Sequence, residues 1–190
     1  LNNATAQYGG VAFYSEGGNP VAKESLITFK DCLMKGNSTS QDNGEGGVFY
    51  LNNQNEYVKM NLSIINSTIY DNKATRSGGV MFVEKASEEG SVVNIVNSTI
   101  TANKCEGPSA INAGYSGGFR FMNTSYPLIK NIYNSIIEEN YTITENGNIL
   151  SDITGQGENV FISGYNVALA NSYISYISSD DFDPSGAVNC

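Results

Sequence analysis

The residues of this 190-residue chain best suited to chemistry are three pairs of adjacent carboxylates. They are Glu88–Glu89, Glu138–Glu139 and Asp180–Asp181. Glycoside hydrolases use a pair of carboxylates as catalytic groups. Polysaccharide lyases use carboxylates that bind calcium together with a basic residue. Neighbouring strand residues point to opposite faces, however, so these pairs are poor acid and base partners. With no histidine and only Arg76 and Arg120 as arginines, we predict no catalytic residues and no enzyme. A polysaccharide lyase or hydrolase is the remote alternative.

The segment that contains Asp181, Asp183 and Ser185 spaces three oxygen-bearing side chains like the first half of a calcium-binding loop. The bidentate glutamate that completes such a loop has no position before Cys190. These three residues are therefore a weak calcium candidate, and a capped turn is the favoured interpretation. We predict no other metal site and no cofactor.

Seven Asn-x-Ser/Thr sequences are candidates for N-glycosylation. Their asparagines are Asn3, Asn37, Asn61, Asn66, Asn97, Asn123 and Asn140. Asn3, Asn61 and Asn123 lie outside the repeated elements and are the favoured sites. Asn66 and Asn97 belong to a recurring Asn-Ser-Thr that the repeat itself explains. Asn37 and Asn140 occupy a position expected to face inward, which would block attachment of a glycan.

The three cysteines, Cys32, Cys105 and Cys190, are widely spaced and odd in number. The absence of histidine and of any Cys-x-x-Cys pair argues against a zinc or redox site. Cys32 occupies a repeat position otherwise filled by serine, which predicts a packed thiol. Cys105 and Cys190 are candidates for a disulfide with each other or with a neighbouring chain, and the sequence does not decide between these alternatives.

The charge of the chain is strongly acidic, with a net charge of −9 and a pI near 4.4. Its ten lysines and arginines are scattered, so we predict neither a nucleic-acid partner nor an anionic membrane surface. No apolar run approaches the ~18 residues of a membrane helix, and we predict no membrane insertion. The first residues lack the basic and apolar regions of a signal peptide, so we expect a mature, trimmed or excised chain.

Two repeated elements must position these residues. The first is an 11-residue segment that occurs four times without gaps, with strand-like alternation and asparagine always in its last position. Its copies are Ile27–Asn37, Leu62–Asn72, Val93–Asn103 and Lys130–Asn140. The second is a glycine pair followed by apolar, variable and apolar residues, which is typical of a short strand entered through a turn. Its pairs are Gly9–Gly10, Gly46–Gly47, Gly78–Gly79 and Gly117–Gly118.

The two elements share a period in the thirties of residues, and their short, β-branched strands exclude helical repeats. Strands separated by turns predict a right-handed single-stranded parallel β-helix of about five coils, stacked at about 4.8 Å. We expect the apolar positions to form inward columns and the asparagines to form a ladder. The chain is predicted to be one domain, 1–190, with repeat elements 9–37, 46–72, 78–103 and 117–140 and a divergent terminal coil and tail, 141–190.

Insertions between the elements are expected to form loops on one face, at Gln41 to Glu45 and at Lys104 to Ser116. The tail around Tyr173 and Ile177 is expected to pack across the end of the solenoid. Tyrosines outside the apolar columns suit either ordinary amphipathic packing, which we favour, or a lateral carbohydrate-binding groove. These residues are Tyr57, Tyr115, Tyr126 and Tyr133.

The Gly-Gly-[Val/Phe]-x-[Phe/Tyr] element followed by Asn-Ser-Thr-Ile-x-x-Asn resembles the repeats of polymorphic outer-membrane proteins and related secreted β-helix proteins. Ile162 to Val167 is also similar to the last coil of many such proteins. The resemblance covers residues 9 to 167 and implies the fold more than the function, because adhesins and passenger domains share it. This chain departs from the pattern in having no β-barrel anchor in the sequence given.

An open solenoid exposes unpaired backbone groups at its ends, which must be capped or extended by another coil. We therefore expect a non-enzymatic structural protein at the cell surface or outside the cell, a unit of a surface or filament assembly. The expected partners are other copies of the chain or adjoining β-helix modules. The alternative is an adhesin-like module that binds a glycan or another surface.

Overall fold

The structure is a computed structural model that describes residues 2–16, 23–40, 42–53, 58–86, 90–106, 116–122, 128–156, 167–170, 173–174 and 177–179. Within these ranges the secondary structure is entirely β, with 22 strands and no helix. Accordingly, this part of the chain contains no helix that is long and apolar enough to cross a membrane.

The strands belong to four sheets that the chain visits in turn. Sheet I contains β2 (Ala12–Glu16), β6 (Phe49–Asn53), β10 (Met81–Ala86), β14 (Phe119–Met122), β19 (Ile153–Gln156) and β22 (Ile177–Ser179). Sheet II contains β3 (Lys23–Lys30), β7 (Val58–Ile65), β11 (Val92–Val96), β15 (Ile129–Tyr133) and β20 (Val167–Ala170). Sheet III contains β4 (Leu33–Lys35), β8 (Thr68–Tyr70), β12 (Thr99–Thr101), β16 (Ile136–Glu138) and β21 (Tyr173–Ile174). Sheet IV contains β1 (Thr5–Ala6), β5 (Ser38–Thr39), β9 (Lys73–Ala74), β13 (Lys104–Glu106), β17 (Tyr141–Thr144) and β18 (Gly147–Leu150).

Except for β18, each strand pairs in parallel with its equivalents in the neighbouring turns, so the fold is the predicted parallel β-solenoid. The number of turns differs slightly from the predicted five coils, because the regular stack from Asn37 to Asn140 makes about three turns. The right-handed sense of the coil remains a prediction.

The corners between sheets II and III are made by single residues in the left-handed backbone conformation. Asn66, Asn97 and Asn134 lie between sheets II and III with φ of 48°, 50° and 49°. Asparagine tolerates this conformation better than most residues, since its short polar side chain can bond the local backbone. The recurring asparagine of the Asn-Ser motif is therefore the residue that turns the chain.

The invariant asparagines form the predicted ladder at the corner between sheets III and IV. The Nδ2 atoms of Asn37, Asn72 and Asn103 donate to the Oδ1 atom of the next asparagine at 2.9, 2.8 and 2.8 Å. The same Oδ1 atoms also accept the backbone N–H of the preceding rung, at 2.9 to 3.1 Å. Asp152 ends the ladder, where its Oδ1 accepts both the Nδ2 and the backbone N–H of Asn140.

A second ladder, of serines, follows the corner between sheets II and III. Ser67, Ser98 and Ser135 each donate from Oγ to the carbonyl oxygen two residues earlier, at 2.8 Å. The Oγ atoms of these serines accept the backbone N–H of the rung in the preceding turn, at 3.1 to 3.2 Å. Cys32 occupies the first rung of this ladder. Among the described residues, no preceding turn offers a backbone N–H that needs an acceptor at this rung. The half-buried thiol of Cys32 donates to the Lys30 carbonyl oxygen.

The glycine pairs lie where the backbones of two turns approach closely. A Cβ atom on Gly79 would lie 2.1 Å from the Gly117 carbonyl oxygen and 2.5 Å from that of Lys104. Gly78 precedes it with φ of 67°, in the left-handed region. The first glycine of the pair thus makes the turn and the second allows the backbones to touch.

Three features of the structure contradict details of the sequence interpretation. Residues Lys104–Glu106, expected in a loop, form strand β13, and the equivalent short strands complete sheet IV. β18, expected in a stacked coil, instead pairs antiparallel with β17 as a hairpin. The described residues of the tail add to the stack and do not cross its end, because β21 extends sheet III and β22 extends sheet I.

Candidate functional site

The candidate site lies on the outer face of sheet I, where several polar side chains are buried. In β6 the inward residues Phe49 and Leu51 are buried, and so is the outward residue Tyr50 between them. Phe82 of β10 and Arg120 of β14 are stacked on Tyr50 in register and are each 2% exposed. Sheet I is therefore covered on both faces, and an outward side chain there lies in a low-dielectric environment.

A β-bulge places the first carboxylate of this site. Glu84 lies between Val83 and Lys85 in β10. Because the register between β6 and β10 shifts at this point, Glu84 has no paired residue in β6. Bulges of this kind redirect side chains and are common beside functional sites. The Glu84 carboxylate accepts hydrogen bonds from the Tyr50 hydroxyl and from Asn52 Nδ2, the latter at 2.6 Å.

The second carboxylate, Glu45, comes directly before the Gly46–Gly47 turn and is 7% exposed. Its Oε1 atom lies 2.9 Å from Nη1 of Arg76. Burial raises the pKa of Glu45 to about 7, although the guanidinium charges of Arg76 and Arg120 oppose the shift. Glu84 raises the Glu45 pKa further by like-charge repulsion. We call Glu45, Tyr50, Arg76, Glu84 and Arg120 the outer cluster.

An aromatic column runs through the outer cluster. The rings of Tyr8 and Tyr50 have centroids 4.8 Å apart, and those of Tyr50 and Phe82 are stacked at 5.8 Å. Burial and the hydrogen bond to Glu84 raise the pKa of Tyr50 above its ordinary value. The Tyr50 hydroxyl is therefore a fixed hydrogen-bond donor and not an ionisable group near neutral pH.

The chemistry open to this cluster is proton transfer by Glu45, whose pKa near 7 suits a general acid. The contacts favour a structural role instead. Glu45 is engaged by Arg76, Glu84 is engaged by Tyr50 and Asn52, and Tyr50 is only 7% exposed. A substrate would have to displace these partners, so the cluster is best understood as a polar core outside sheet I.

The structure does not bring the predicted carboxylate pairs into a common site. Glu138 ends β16 and is half-buried, while Glu139 is exposed at the following corner with φ of 55°. Glu88–Glu89 and Asp180–Asp181 lie outside the described residues. The carboxylates that do share surroundings, Glu45 and Glu84, are 39 residues apart. The turn period and the bulge bring these two carboxylates together, and no local sequence motif marks them as a pair.

The sequons divide by exposure. Asn66 and Asn97 are exposed at corners, although the sequence interpretation attributed their motif to the repeat alone. Asn37 and Asn140 are fully buried in the ladder, as expected. Asn3 is exposed, Asn61 is half-buried and donates to the Glu24 carboxylate, and Asn123 lies outside the described residues. Glycosylation of any of them remains a prediction.

Cys105 is a free cysteine that is fully buried, and its thiol donates to the Arg76 carbonyl oxygen at 2.5 Å. Burial raises the pKa of its thiol well above the ordinary value. Its proposed partner Cys190 lies outside the described residues, so their pairing stays a prediction. The calcium candidate Asp181, Asp183 and Ser185 also lies outside them. Among the described residues, no group of three or more His, Cys, Asp or Glu side chains is placed to hold a metal ion.

Of the four tyrosines considered for a lateral groove, the structure describes only Tyr133, which ends β15 and is 36% exposed. It flanks the corner of sheets II and III opposite Ile136, which is 42% exposed. Tyr57, Tyr115 and Tyr126 lie outside the described residues. The groove therefore remains a prediction.

Comparison with known proteins adds no functional assignment to this geometry. No family model matches the chain, and no curated protein or solved structure matches it significantly. The resemblance to polymorphic outer-membrane-protein repeats therefore remains a prediction from the repeat motifs.

Proposed function

We propose that the chain is a non-enzymatic structural unit that extends by stacking further β-solenoid turns on the edge of its first turn. The partner is a second copy of the chain or an adjoining module with the same four-sided cross-section. The expected setting is an assembly at the cell surface or outside the cell. This setting rests on the repeat resemblance and not on the geometry.

One observation carries the proposal: among the described residues, the inward side chains of sheets I and II are less buried in the first turn than in the second. Ala12 and Tyr14 are half-buried, whereas their register partners Phe49 and Leu51 in the second turn are buried. Ile27 and Phe29 are likewise half-buried above fully buried partners, Leu62 and Ile64. Apolar side chains gain free energy when such an edge is covered, at roughly 25 cal/mol per Å².

The strand edge at the same turn supports this reading. Within the described residues, β3 is the outermost strand of sheet II and is eight residues long. Its outer edge carries backbone N–H and C=O groups, which form a template for another parallel strand. A stacked turn would pair with these backbone groups and bury Ile27 and Phe29 at the same time.

The test is electron microscopy and sedimentation of the purified chain and two matched variants. We expect the wild-type chain to form concentration-dependent rods longer than one unit, with turns about 4.8 Å apart. Ile27→Lys places a charge in the uncovered column and should abolish end-to-end growth. Leu26→Lys, on the outward face of the same strand and 72% exposed, should leave it intact.

Circular dichroism establishes that both variants fold, and Phe29→Ser serves as a second edge variant. Isolated short rods for the wild-type chain at all concentrations would contradict the proposal. That result would favour the alternative, a monomeric binding module, and would direct the search to the outer face around Tyr133.

A further inference from the structure

The outer face of sheet II is regular, uncharged and partly apolar. Along β7, β11 and β15, buried inward side chains alternate with outward ones that are half-buried or exposed. Register pairing arranges the outward residues in three columns, which we call the lateral face. The first column contains Asn61, Val92 and Ile129, the second Ser63, Asn94 and Asn131, and the third Ile65, Val96 and Tyr133.

The lateral face differs in charge from the neighbouring faces of the solenoid. None of its nine residues is Asp, Glu, Lys or Arg, in a chain whose net charge is −9. The outward residues of the other sheets include charged ones, namely Lys35 and Glu138 in sheet III and Lys73, Lys104 and Glu106 in sheet IV. Copies of an acidic chain repel one another. This repulsion is weakest where two uncharged faces meet.

The polar column of the lateral face is already hydrogen-bonded along its length. Asn131 Nδ2 donates to Asn94 Oδ1 at 2.9 Å, and Asn94 Nδ2 donates to Ser63 Oγ at 3.2 Å. A polar group that has a hydrogen-bond partner costs less free energy to bury than one without. Each amide also has a second N–H, which a facing polar column can accept. The face can therefore be covered without leaving its amides unsatisfied.

We propose that the lateral face pairs with the lateral face of a second copy, so that two solenoids lie side by side with parallel axes. The argument is the symmetry of the face, in which two mainly apolar columns flank one polar column. A two-fold axis parallel to the solenoid places the polar columns opposite each other and the first column opposite the third. Val92 of one copy then faces Val96 of the other, and Ile129 faces Tyr133. A surface of this kind is self-complementary, as a two-fold interface requires.

The size of the face predicts that rods pair more stably than single units. Four turns at about 4.8 Å and strands of about five residues at about 3.3 Å give a flat area of roughly 300 Å² per unit. A stable interface buries about 800 Å² on each partner. Three units stacked end to end supply that area, whereas one unit does not. The inference therefore rests on the proposed end-to-end growth and adds that the resulting rods run in pairs.

The test is electron microscopy of rods formed by the chain and two matched variants, all produced in bacteria so that Asn61 carries no glycan. Val96→Lys places an ammonium group at the centre of the lateral face. Thr101→Lys places the same group on the outward face of sheet III in the same turn. We expect wild-type and Thr101→Lys rods to be paired, and about twice as wide as Val96→Lys rods. Rod length should be equal in all three, because the ends of the stack are unchanged.

A rescue experiment tests the orientation of the pair. Val92→Glu alone should also give single rods, because its carboxylate would face an apolar residue of the other copy. Mixing preformed rods of Val92→Glu and Val96→Lys should restore pairs, since a carboxylate then faces an ammonium group. Circular dichroism establishes that each variant folds. A mixture that stays unpaired would overturn the proposed arrangement.

Rod width and rod length separate this inference from the proposed function. Long wild-type rods of single width would overturn the pairing alone, and so would paired rods of Val96→Lys. If the wild-type chain forms only short units, sedimentation at about 1 mM should still show a weak dimer that Val96→Lys loses, and monomers there would overturn the pairing. Single rods that bind the neutral polysaccharide amylose, with binding lost in Val96→Lys, would assign the face to a glycan instead.

Discussion

At the scale of single residues, the asparagine ladder explains why one amino acid fills its position in every regular turn. Each rung must accept two N–H groups and donate two or more, and only a side-chain amide does both in this space. Asn103 accepts from Asn72 and donates to Asn140 and to the carbonyl oxygens of Ile69 and Thr101. Asp152 fits the end of the ladder because the last rung accepts hydrogen bonds from Asn140 and has no further rung to which it must donate.

Replacement of a middle rung should therefore be costly. Asn103→Ala leaves the buried amide of Asn72 without its acceptor and removes the donors to two buried carbonyls. We expect a loss of about 3–5 kcal/mol of unfolding free energy, measured by urea denaturation. Asn97→Gly is the control, because Asn97 is exposed and glycine accepts its left-handed backbone. A loss at Asn103 no larger than at Asn97 would show that the ladder contributes little to stability.

At the scale of elements, the backbones of neighbouring turns are in close contact at the second glycine of each pair. In Gly79→Ala the added methyl group would meet the backbone oxygens of Gly117 and Lys104, which lie in the next turn and are held by its hydrogen bonds to the turn of Gly79. We expect destabilisation by about 3 kcal/mol or more, visible as a lowered melting temperature. Thr68→Ala, at an exposed strand position, should change stability by about 0.5 kcal/mol at most. Equal melting temperatures for the two variants would contradict this account.

The elements that could be predicted from sequence are those whose side chains repeat. The corner asparagines, the ladder from Asn37 to Asn140 and the glycine pairs recur because each turn imposes the same backbone demand at that point. The strands of sheet IV were missed, since β5 and β9 have two residues each and carry no alternation. The outer cluster was also missed, because the bulge at Glu84 depends on the pairing of β6 with β10. Such pairing is visible only after the turns are stacked.

At the scale of the whole molecule, the two ends of the stack differ. At the first turn, the strands of sheets I and II carry half-buried apolar side chains, among them Ile27 and Phe29. At the other end, sheet IV closes with the antiparallel strand β18, whose residues are all exposed. An antiparallel edge cannot continue the parallel register of a solenoid. Growth through sheet IV is thus blocked at this end, so the proposed assembly has a direction.

Two buried groups with pKa values near 7 contribute a pH dependence to the stability of the fold around neutral pH. Burial raises the pKa of Glu45 above its unfolded value, so its protonated form favours folding and stability falls as pH rises from about 4.5 to 7. Lys130 has the opposite effect at higher pH. Its folded pKa is lowered, so stability rises as pH increases from about 7 to 10.5. The fold should therefore be least stable near neutral pH.

We expect urea denaturation between pH 5 and 9.5 to show this minimum. The expected change is about 1–2 kcal/mol on the acid limb, where the partial exposure of Arg76 screens Glu45, and about 2–3 kcal/mol on the alkaline limb. Glu45→Gln keeps a hydrogen-bonding group beside Arg76 and should flatten only the acid limb. Lys130→Met should flatten only the alkaline limb and raise stability at pH 7. A stability maximum near pH 7 in the wild-type chain would mean that both groups are better solvated than their burial implies. Each variant should change one limb of the pH profile only. A change in the alkaline limb for Glu45→Gln, or in the acid limb for Lys130→Met, would reject the assignment of that residue to its limb.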